Sequence, residues 1–119
     1  MVLAVVDDLL FSSKIRSVAG ATAQSVVFVR TRGAVLGAMR EHHPSVVLFD
    51  LDRDVLDPIG LIREIRSSPE FARARLVGFA SHVHVDRLKA AQEAGCDRTL
   101  ARSGFVAALP GLLLPSSPA

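Results

Sequence analysis

The chain is poor in several residue types that would each point to a particular class of protein. Its 119 residues include no Trp, no Tyr, a single cysteine and, among the basic side chains, only two lysines, Lys14 and Lys89. The one cysteine, Cys96, cannot form a disulfide within the chain, and no apolar run approaches the ~20 residues of a membrane span. The N-terminus carries no charged leader followed by a cleavage site. We therefore expect a reduced, cytoplasmic protein that does not span or bind a membrane.

A strong excess of charge of one sign is also absent. Fourteen basic residues against twelve acidic ones leave a formal net charge of only +2. Acidic residues interrupt the arginines between positions 53 and 75, and aromatic stacking partners are lacking, so we predict no direct contact with nucleic acid. Gly33 and Gly37 lie within a helical pattern and match no nucleotide-binding fingerprint.

What the chain does contain is a regular alternation of short apolar runs with helical patterns. This alternation is typical of successive βα units on a parallel sheet. The runs that we predict as strands lie at 2–6, 25–29, 45–49, 76–80 and 97–100. The pattern predicts one α/β domain over residues 1–114, with a doubly wound parallel five-stranded sheet and helices on both faces, followed by a disordered tail at 115–119.

Local signals predict where the helices begin and end. Thr31 and Asp57 are candidate N-caps of the second and third helices. Gly95 is expected at the C-terminal cap of the fourth helix. Ser103 should cap the last helix, and Pro110 should break or kink it.

Acidic residues follow two of the predicted strands. Asp7 and Asp8 come after the first strand, and Asp50 comes after the third. In open doubly wound sheets, ligand sites lie beyond the carboxyl ends of the strands. Three carboxylates in one crevice repel each other unless a cation neutralises them. The pattern therefore predicts a site for a hard divalent metal such as Mg²⁺.

Three sequence strings together resemble the receiver domains of two-component response regulators. They are VVDD at 5–8, VVLFD at 46–50 and AAQEAGC at 90–96. The resemblance extends over about residues 2–109. It implies a flavodoxin-like, receiver-like sheet with strand order 2-1-3-4-5.

The resemblance also implies a phosphorylation switch. Asp50 would be the phosphoacceptor and a ligand of Mg²⁺, together with Asp8 directly, Asp7 through water and the backbone carbonyl of Asp52. The protein would receive its phosphoryl group from a sensor histidine kinase or a phosphotransfer protein and would act through contact with a downstream protein. It would be a monomer or weak homodimer and not an enzyme, apart from slow autodephosphorylation.

Several positions depart from the family pattern. Ala80 stands where the family has a hydroxyl residue, so that either Ser81 supplies this hydroxyl or no residue does. Arg102 replaces the family's lysine, and we expect it to stabilise the phosphate together with Ser81, although its planar fork differs from an ammonium group. Thr99 occupies the position of the switching aromatic residue, and Ser103 that of a proline.

These departures leave other hypotheses open. The chain could be a degenerate receiver that acts as a phosphorylation-independent protein-interaction module. It could also be a small hydrolase in which Asp52 is a second acid beside Asp50. His82 and His84 lie beside the predicted site and could bind metal or phosphate, although surface and capping histidines are more common.

Overall fold

The computed structural model describes residues 1–114, and the predicted tail at 115–119 lies outside them. Within the described residues, five strands alternate with five α-helices. The strands are β1 (Val2–Val5), β2 (Val26–Phe28), β3 (Val46–Asp50), β4 (Arg75–Ala80) and β5 (Arg98–Ala101). The helices are α1 (Leu9–Ala21), α2 (Val35–His42), α3 (Pro58–Arg66), α4 (Val85–Ala94) and α5 (Arg102–Leu112). The predicted strands are confirmed, with bounds shifted by a residue.

The five strands form one parallel sheet in the order β2-β1-β3-β4-β5. This is the strand order that the resemblance implied. The central strand, β3, is buried along its whole length because it is covered on both faces. Val5 of β1 pairs with Phe49 of β3, so the segments that follow these two strands leave the sheet side by side.

The sheet has an apolar layer on each face. Leu3, Val47 and Phe49 point into the layer under α2, α3 and α4. Leu48 and Phe79 point into the opposite layer, under α1 and α5. This alternation along β3 explains why its sequence is apolar at consecutive positions rather than at every second one. No helix of the described residues is long and apolar enough to cross a membrane.

Two of the predicted helix caps are confirmed. The Asp57 carboxylate accepts a hydrogen bond from the Gly60 backbone N–H at 3.4 Å and begins α3. Gly95 ends α4 with a φ of 113°. A Cβ atom at Gly95 would lie 2.5 Å from the Cγ atom of Arg66, so both the backbone and the space around it require glycine.

Two other cap predictions are wrong. The side chain of Thr31 caps no helix, because the chain first makes a 3₁₀ turn at Arg32–Ala34 before α2 begins. Ser103 lies inside the first turn of α5, because the helix follows β5 directly and Ala101 takes the N-cap position. In both cases the connection between strand and helix, rather than the hydroxyl residue, determines where the helix starts.

Pro110 was predicted to break or kink the last helix, and the break does not occur. The helix α5 contains Pro110 and continues to Leu112. The proline ring removes one backbone hydrogen bond, but it stands in the last turn, where little helix remains to be disrupted. Leu109, Leu112 and Leu113 are all buried around it, and this packing holds the last turn in place.

Candidate functional site

The predicted acidic residues meet at the carboxyl end of the sheet. Asp50 is the last residue of β3, and its side chain is only 5% exposed. A cleft of about 370 Å³ opens beside it. The cleft is lined by Asp7, Asp8, Asp50, Asp52, Arg53 and Arg102. The parallel arrangement of β1 and β3 thus brings together the residues that the sequence pattern selected.

Arg102, the first residue of α5, is the cation nearest to Asp50. Its Nη2 atom lies 3.2 and 3.5 Å from the two carboxylate oxygens of Asp50. The same guanidinium reaches Asp52, whose Oδ2 atom is 3.2 Å from Nη2 and 3.3 Å from Nε. Its central carbon lies 4.8 Å from the ring centre of Phe11 and 5.4 Å from that of Phe79. Two carboxylates and two aromatic rings therefore fix the guanidinium in the cleft.

Burial raises the pKa of Asp50 above its ordinary value. The positive charge of Arg102 and a hydrogen bond from the Asp52 backbone N–H, at 3.0 Å, act in the opposite direction. The carboxylates of Asp52 and Asp8 raise the pKa further. Asp50 is thus a poorly solvated carboxylate, a state in which its oxygens are more basic than those of an exposed aspartate.

The side chain of Asp52 connects three parts of the chain. Its Oδ2 atom accepts a hydrogen bond from the Ser81 backbone N–H at 2.7 Å, in addition to those from Arg102. Its Oδ1 atom lies 2.7 Å from Nδ1 of His84. Burial raises the pKa of Asp52, but the hydrogen bonds from His84 and Ser81 and the charge of Arg102 outweigh it, so the pKa lies below its ordinary value.

Sequence reasoning missed this carboxylate network. It assigned Asp52 a role through its backbone carbonyl and considered His84 as a ligand of metal or phosphate. The only sequence signal was the closeness of His84 to the end of the fourth predicted strand. That signal did not identify the partner, because Asp52 and His84 are separated by 32 residues.

Asp7 and Asp8 are also engaged by groups of the chain itself. Asp7 Oδ2 lies 2.9 Å from Nε of Arg53. Asp8 Oδ1 accepts the Phe11 backbone N–H at 3.0 Å and caps α1. Within residues 1–114, no three Asp, Glu, His or Cys side chains are grouped so that they could hold a metal ion. As they stand, Asp7 is paired with Arg53, and Asp50 and Asp52 with Arg102. These carboxylates therefore do not fit a divalent cation in this arrangement, and the Mg²⁺ site stays a prediction.

Three residues, Ala80, Ser81 and Thr99, bear on the departures from the family pattern. Ala80 ends β4 and is fully buried, and its methyl group cannot donate a hydrogen bond. The hydroxyl of Ser81 lies 3.5 Å from the Val83 backbone nitrogen, while its own backbone N–H reaches Asp52. Thr99 accepts a hydrogen bond from the amide of Gln92 at 2.8 Å, on the outer side of β5. A role of Ser81 towards a phosphate also stays a prediction.

No protein-family model matches the sequence, and no curated protein matches it. Comparison with solved structures is more informative. A response regulator from Hahella chejuensis is similar over 94% of this chain and 90% of its own, with 18% identity and a TM-score of 0.83. This chain has the response regulator receiver fold.

Two further receiver structures show the same likeness. The Mn²⁺-bound form of the response regulator Rcp1 is similar over 99% of this chain and 98% of its own, with 19% identity and a TM-score of 0.76. The phosphorylated cyanobacterial phytochrome response regulator RcpA is similar over 94% of this chain and 86% of its own, with 20% identity and a TM-score of 0.76. The receiver fold thus covers nearly the whole chain, as the sequence strings predicted.

Proposed function

We propose that this receiver-fold domain is a signalling protein in which Asp50 accepts a phosphoryl group and whose output is contact with another protein. The observation that carries the proposal is the position of Asp50. It ends the central strand beside an acidic cleft, and the Nη2 atom of Arg102 lies 3.2 Å from its carboxylate. A phosphoryl group on Asp50 would bring close to two negative charges within reach of this guanidinium.

The donor in this proposal is the phosphohistidine of a sensor histidine kinase or a phosphotransfer protein. Asp50 Oδ2 is the less engaged oxygen, with a single contact at 3.5 Å, and attacks the phosphorus atom. The new O–P bond forms as the P–N bond breaks, and the leaving imidazole takes up a proton from solvent. Arg102 faces the charge on the transferred oxygens. Asp50 is thus an acceptor that changes state, not a catalyst that turns over a substrate.

No step of this proposal runs through a metal. A divalent ion such as Mg²⁺ would neutralise charge on the transferred phosphoryl oxygens. Its predicted ligands at Asp7 and Asp8 would have to be released from their present partners first. The salt bridge between Arg53 and Asp7 is the easier of the two to open, because Arg53 is half exposed.

The surface around the cleft suits contact with a protein. Exposed large apolar side chains lie on the segments that follow β1, β3 and β4, which leave the sheet at the same edge. They are Leu9, Leu10, Val55, Val83 and Val85. Apolar side chains grouped at one edge are typical of protein interaction sites. We call these five residues the apolar rim. They support a protein as the phosphoryl donor and a protein as the target.

Two measurements test the proposal. In the first, the protein is incubated with acetyl phosphate or phosphoramidate, and its intact mass is recorded. The wild type should gain the mass of one phosphoryl group, and Asp50→Asn should gain none. In the second, BeF₃⁻ and Mg²⁺ are added and amide chemical shifts are followed; residues around 8, 50 and 81 should move in a saturable way. A wild type that shows neither change refutes the proposal.

A second candidate function is that of a phosphorylation-independent interaction module. The observation that favours it is Ala80, a fully buried residue whose methyl group cannot donate a hydrogen bond at the position where the family has a hydroxyl. Under this alternative, the wild type takes up no phosphoryl group from either donor. Adding BeF₃⁻ and Mg²⁺ then leaves the amide shifts of the exposed apolar residues around the cleft equally unchanged in the wild type and in Asp50→Asn.

A further inference from the structure

We propose that the carboxylate of Asp52 transmits phosphorylation of Asp50 to the start of α4. This inference rests on the proposed function. We name the connected side chains and backbone groups of Arg102, Asp52, Ser81 and His84 the Asp52 relay. It takes the place of the hydroxyl that Ala80 cannot supply, and Asp52 acts in it as a positioning residue.

The first link of the relay is the sharing of Arg102 between two carboxylates. Its guanidinium contacts Asp50 at 3.2 Å and Asp52 at 3.2 and 3.3 Å. The phosphorylated form of Asp50 carries more negative charge and three further acceptor oxygens. These oxygens compete with Asp52 for the same donors. Phosphorylation therefore draws Arg102 towards Asp50 and weakens its bonds to Asp52.

The second link joins Asp52 to the segment between β4 and α4. Its carboxylate accepts from the Ser81 backbone N–H at 2.7 Å and lies 2.7 Å from His84 Nδ1. Asp52 is mostly buried, with 16% of its side chain exposed. A carboxylate that loses the charge of Arg102 in such a place draws its other donors closer or moves together with them. Either response displaces Ser81 and His84.

The third link is the surface on which the relay ends. His84 directly precedes α4 and stands between Val83 and Val85, two exposed apolar side chains. A displacement of His84 therefore moves part of the apolar rim that we propose as the protein contact. This gives phosphorylation a route to a partner surface that needs neither a hydroxyl at Ala80 nor an aromatic residue at Thr99.

A second connection between the same two segments supplies a matched control. Arg87, in the first turn of α4, donates to the Leu51 carbonyl at 3.2 Å and to the Asp54 carboxylate at 2.9 and 3.3 Å. Asp54 lies in the same loop as Asp52 and also binds α4, but it does not contact Arg102. A variant at Asp54 therefore alters the attachment of α4 without altering the Asp52 relay.

The test compares the spread of amide shifts when BeF₃⁻ and Mg²⁺ are added to the full chain. In the wild type, shifts are expected at Asp50 and Leu51 and also at residues 83–87. In Asp52→Asn, which has the same shape but no charge, the shifts at 50 and 51 persist. Those at 83–87 should be smaller by about threefold or more. His84→Ala should give the same result, and Asp54→Asn should behave like the wild type.

The outcomes separate this inference from the proposed function. Shifts at 83–87 of wild-type size in both Asp52→Asn and His84→Ala overturn the relay and leave the phosphoacceptor role intact. An equal loss in Asp54→Asn also overturns it, because the route then runs through Arg87. A wild type without saturable shifts at Asp50 and without a mass gain from acetyl phosphate overturns the proposed function and the relay with it. If Asp52→Asn gives the amide spectrum of an unfolded chain, His84→Ala alone decides between these outcomes.

Discussion

Replacing Arg102 with methionine removes the cation that the Asp50 carboxylate faces and keeps a long, apolar side chain against the aromatic rings. In the wild type, the Arg102 guanidinium contacts both oxygens of Asp50 at 3.2 and 3.5 Å. Without it, a carboxylate that is 5% exposed retains one backbone donor, the N–H of Asp52. We expect Arg102→Met to lower the free energy of unfolding at pH 7.

The size of the loss follows from burial. Leaving one member of a buried ion pair without its partner costs about 3–5 kcal/mol. The Arg102 side chain is 30% exposed, and solvent screening places this pair at or below the low end of that range. The contacts with the rings of Phe11 and Phe79 add about 0.5–1 kcal/mol each. We therefore expect a loss of about 2–4 kcal/mol, a large fraction of the ~5–15 kcal/mol that stabilises a typical domain.

The loss should depend on pH in a defined direction. Removing Arg102 raises the pKa of Asp50 further above the value of about 3.9 that an unfolded aspartate has. A group whose pKa is raised by folding contributes stability below its unfolded pKa and loses it as the pH rises through its folded pKa. The difference between Arg102→Met and wild type should therefore be largest near pH 7 and should shrink as the pH falls towards 4.

Urea unfolding at several pH values measures this difference. Asp50→Asn combined with Arg102→Met should recover most of the lost stability, because no buried charge then lacks a partner. Arg16→Met is the matched control: Arg16 lies 4.8 Å over the ring of Phe28, but it is exposed. Equal stability of Arg102→Met and Arg16→Met at pH 7 would contradict this prediction, and so would a double variant, Arg102→Met with Asp50→Asn, that is no more stable than Arg102→Met alone.

Three further predictions follow from single contacts. Arg53→Ala removes the exposed ion pair with Asp7, which is worth up to about 1 kcal/mol. Calorimetry should then show that Mn²⁺ binds up to about fivefold more tightly than to the wild type. An unchanged affinity contradicts this. Gly95→Ala should lower the free energy of unfolding by at least about 1–2 kcal/mol, since φ is 113° and its Cβ would meet Arg66; urea unfolding at the wild-type midpoint would disprove it. Burial raises the pKa of Cys96 to about 11, so at pH 8 a disulfide reagent should react about a hundredfold more slowly with the folded chain than with the unfolded one; equal rates would show that the thiol is accessible.

Much of the fold could be predicted because its signals are local. A strand that is buried on both faces is apolar at consecutive positions, as at 46–49. Such runs, with turn residues between them, predict βα units without knowledge of any distant contact. The same holds for Asp57 at the start of α3 and Gly95 at the end of α4, where the neighbouring backbone sets the requirement. The meeting of Asp7, Asp8 and Asp50 was also predictable, since parallel strands end at a common edge.

Local signals failed where packing outweighed them. Pro110 predicts a helix break, yet α5 continues to Leu112. The burial of Leu112 and Leu113 stabilises the last turn by about 1.5–3 kcal/mol for each fully buried side chain. This is comparable with the ~3 kcal/mol that a proline costs within a helix. The spacing of apolar residues does not reveal which of these two free energies is larger, because the burial of the leucines depends on the surface that α5 packs against.

The residue pattern thus predicts the sheet, the succession of strands and helices, and the edge at which the carboxylates gather. How those carboxylates are neutralised follows from the folded chain. Arg102 reaches Asp50 and Asp52 across about fifty residues of chain, and His84 reaches Asp52 across 32. Such contacts depend on the strand order, the path of each loop and the contact of Arg102 with the rings of Phe11 and Phe79. No local spacing encodes them, because hydrogen bonds between distant side chains are fixed only when the backbone has brought both partners to the same edge of the sheet.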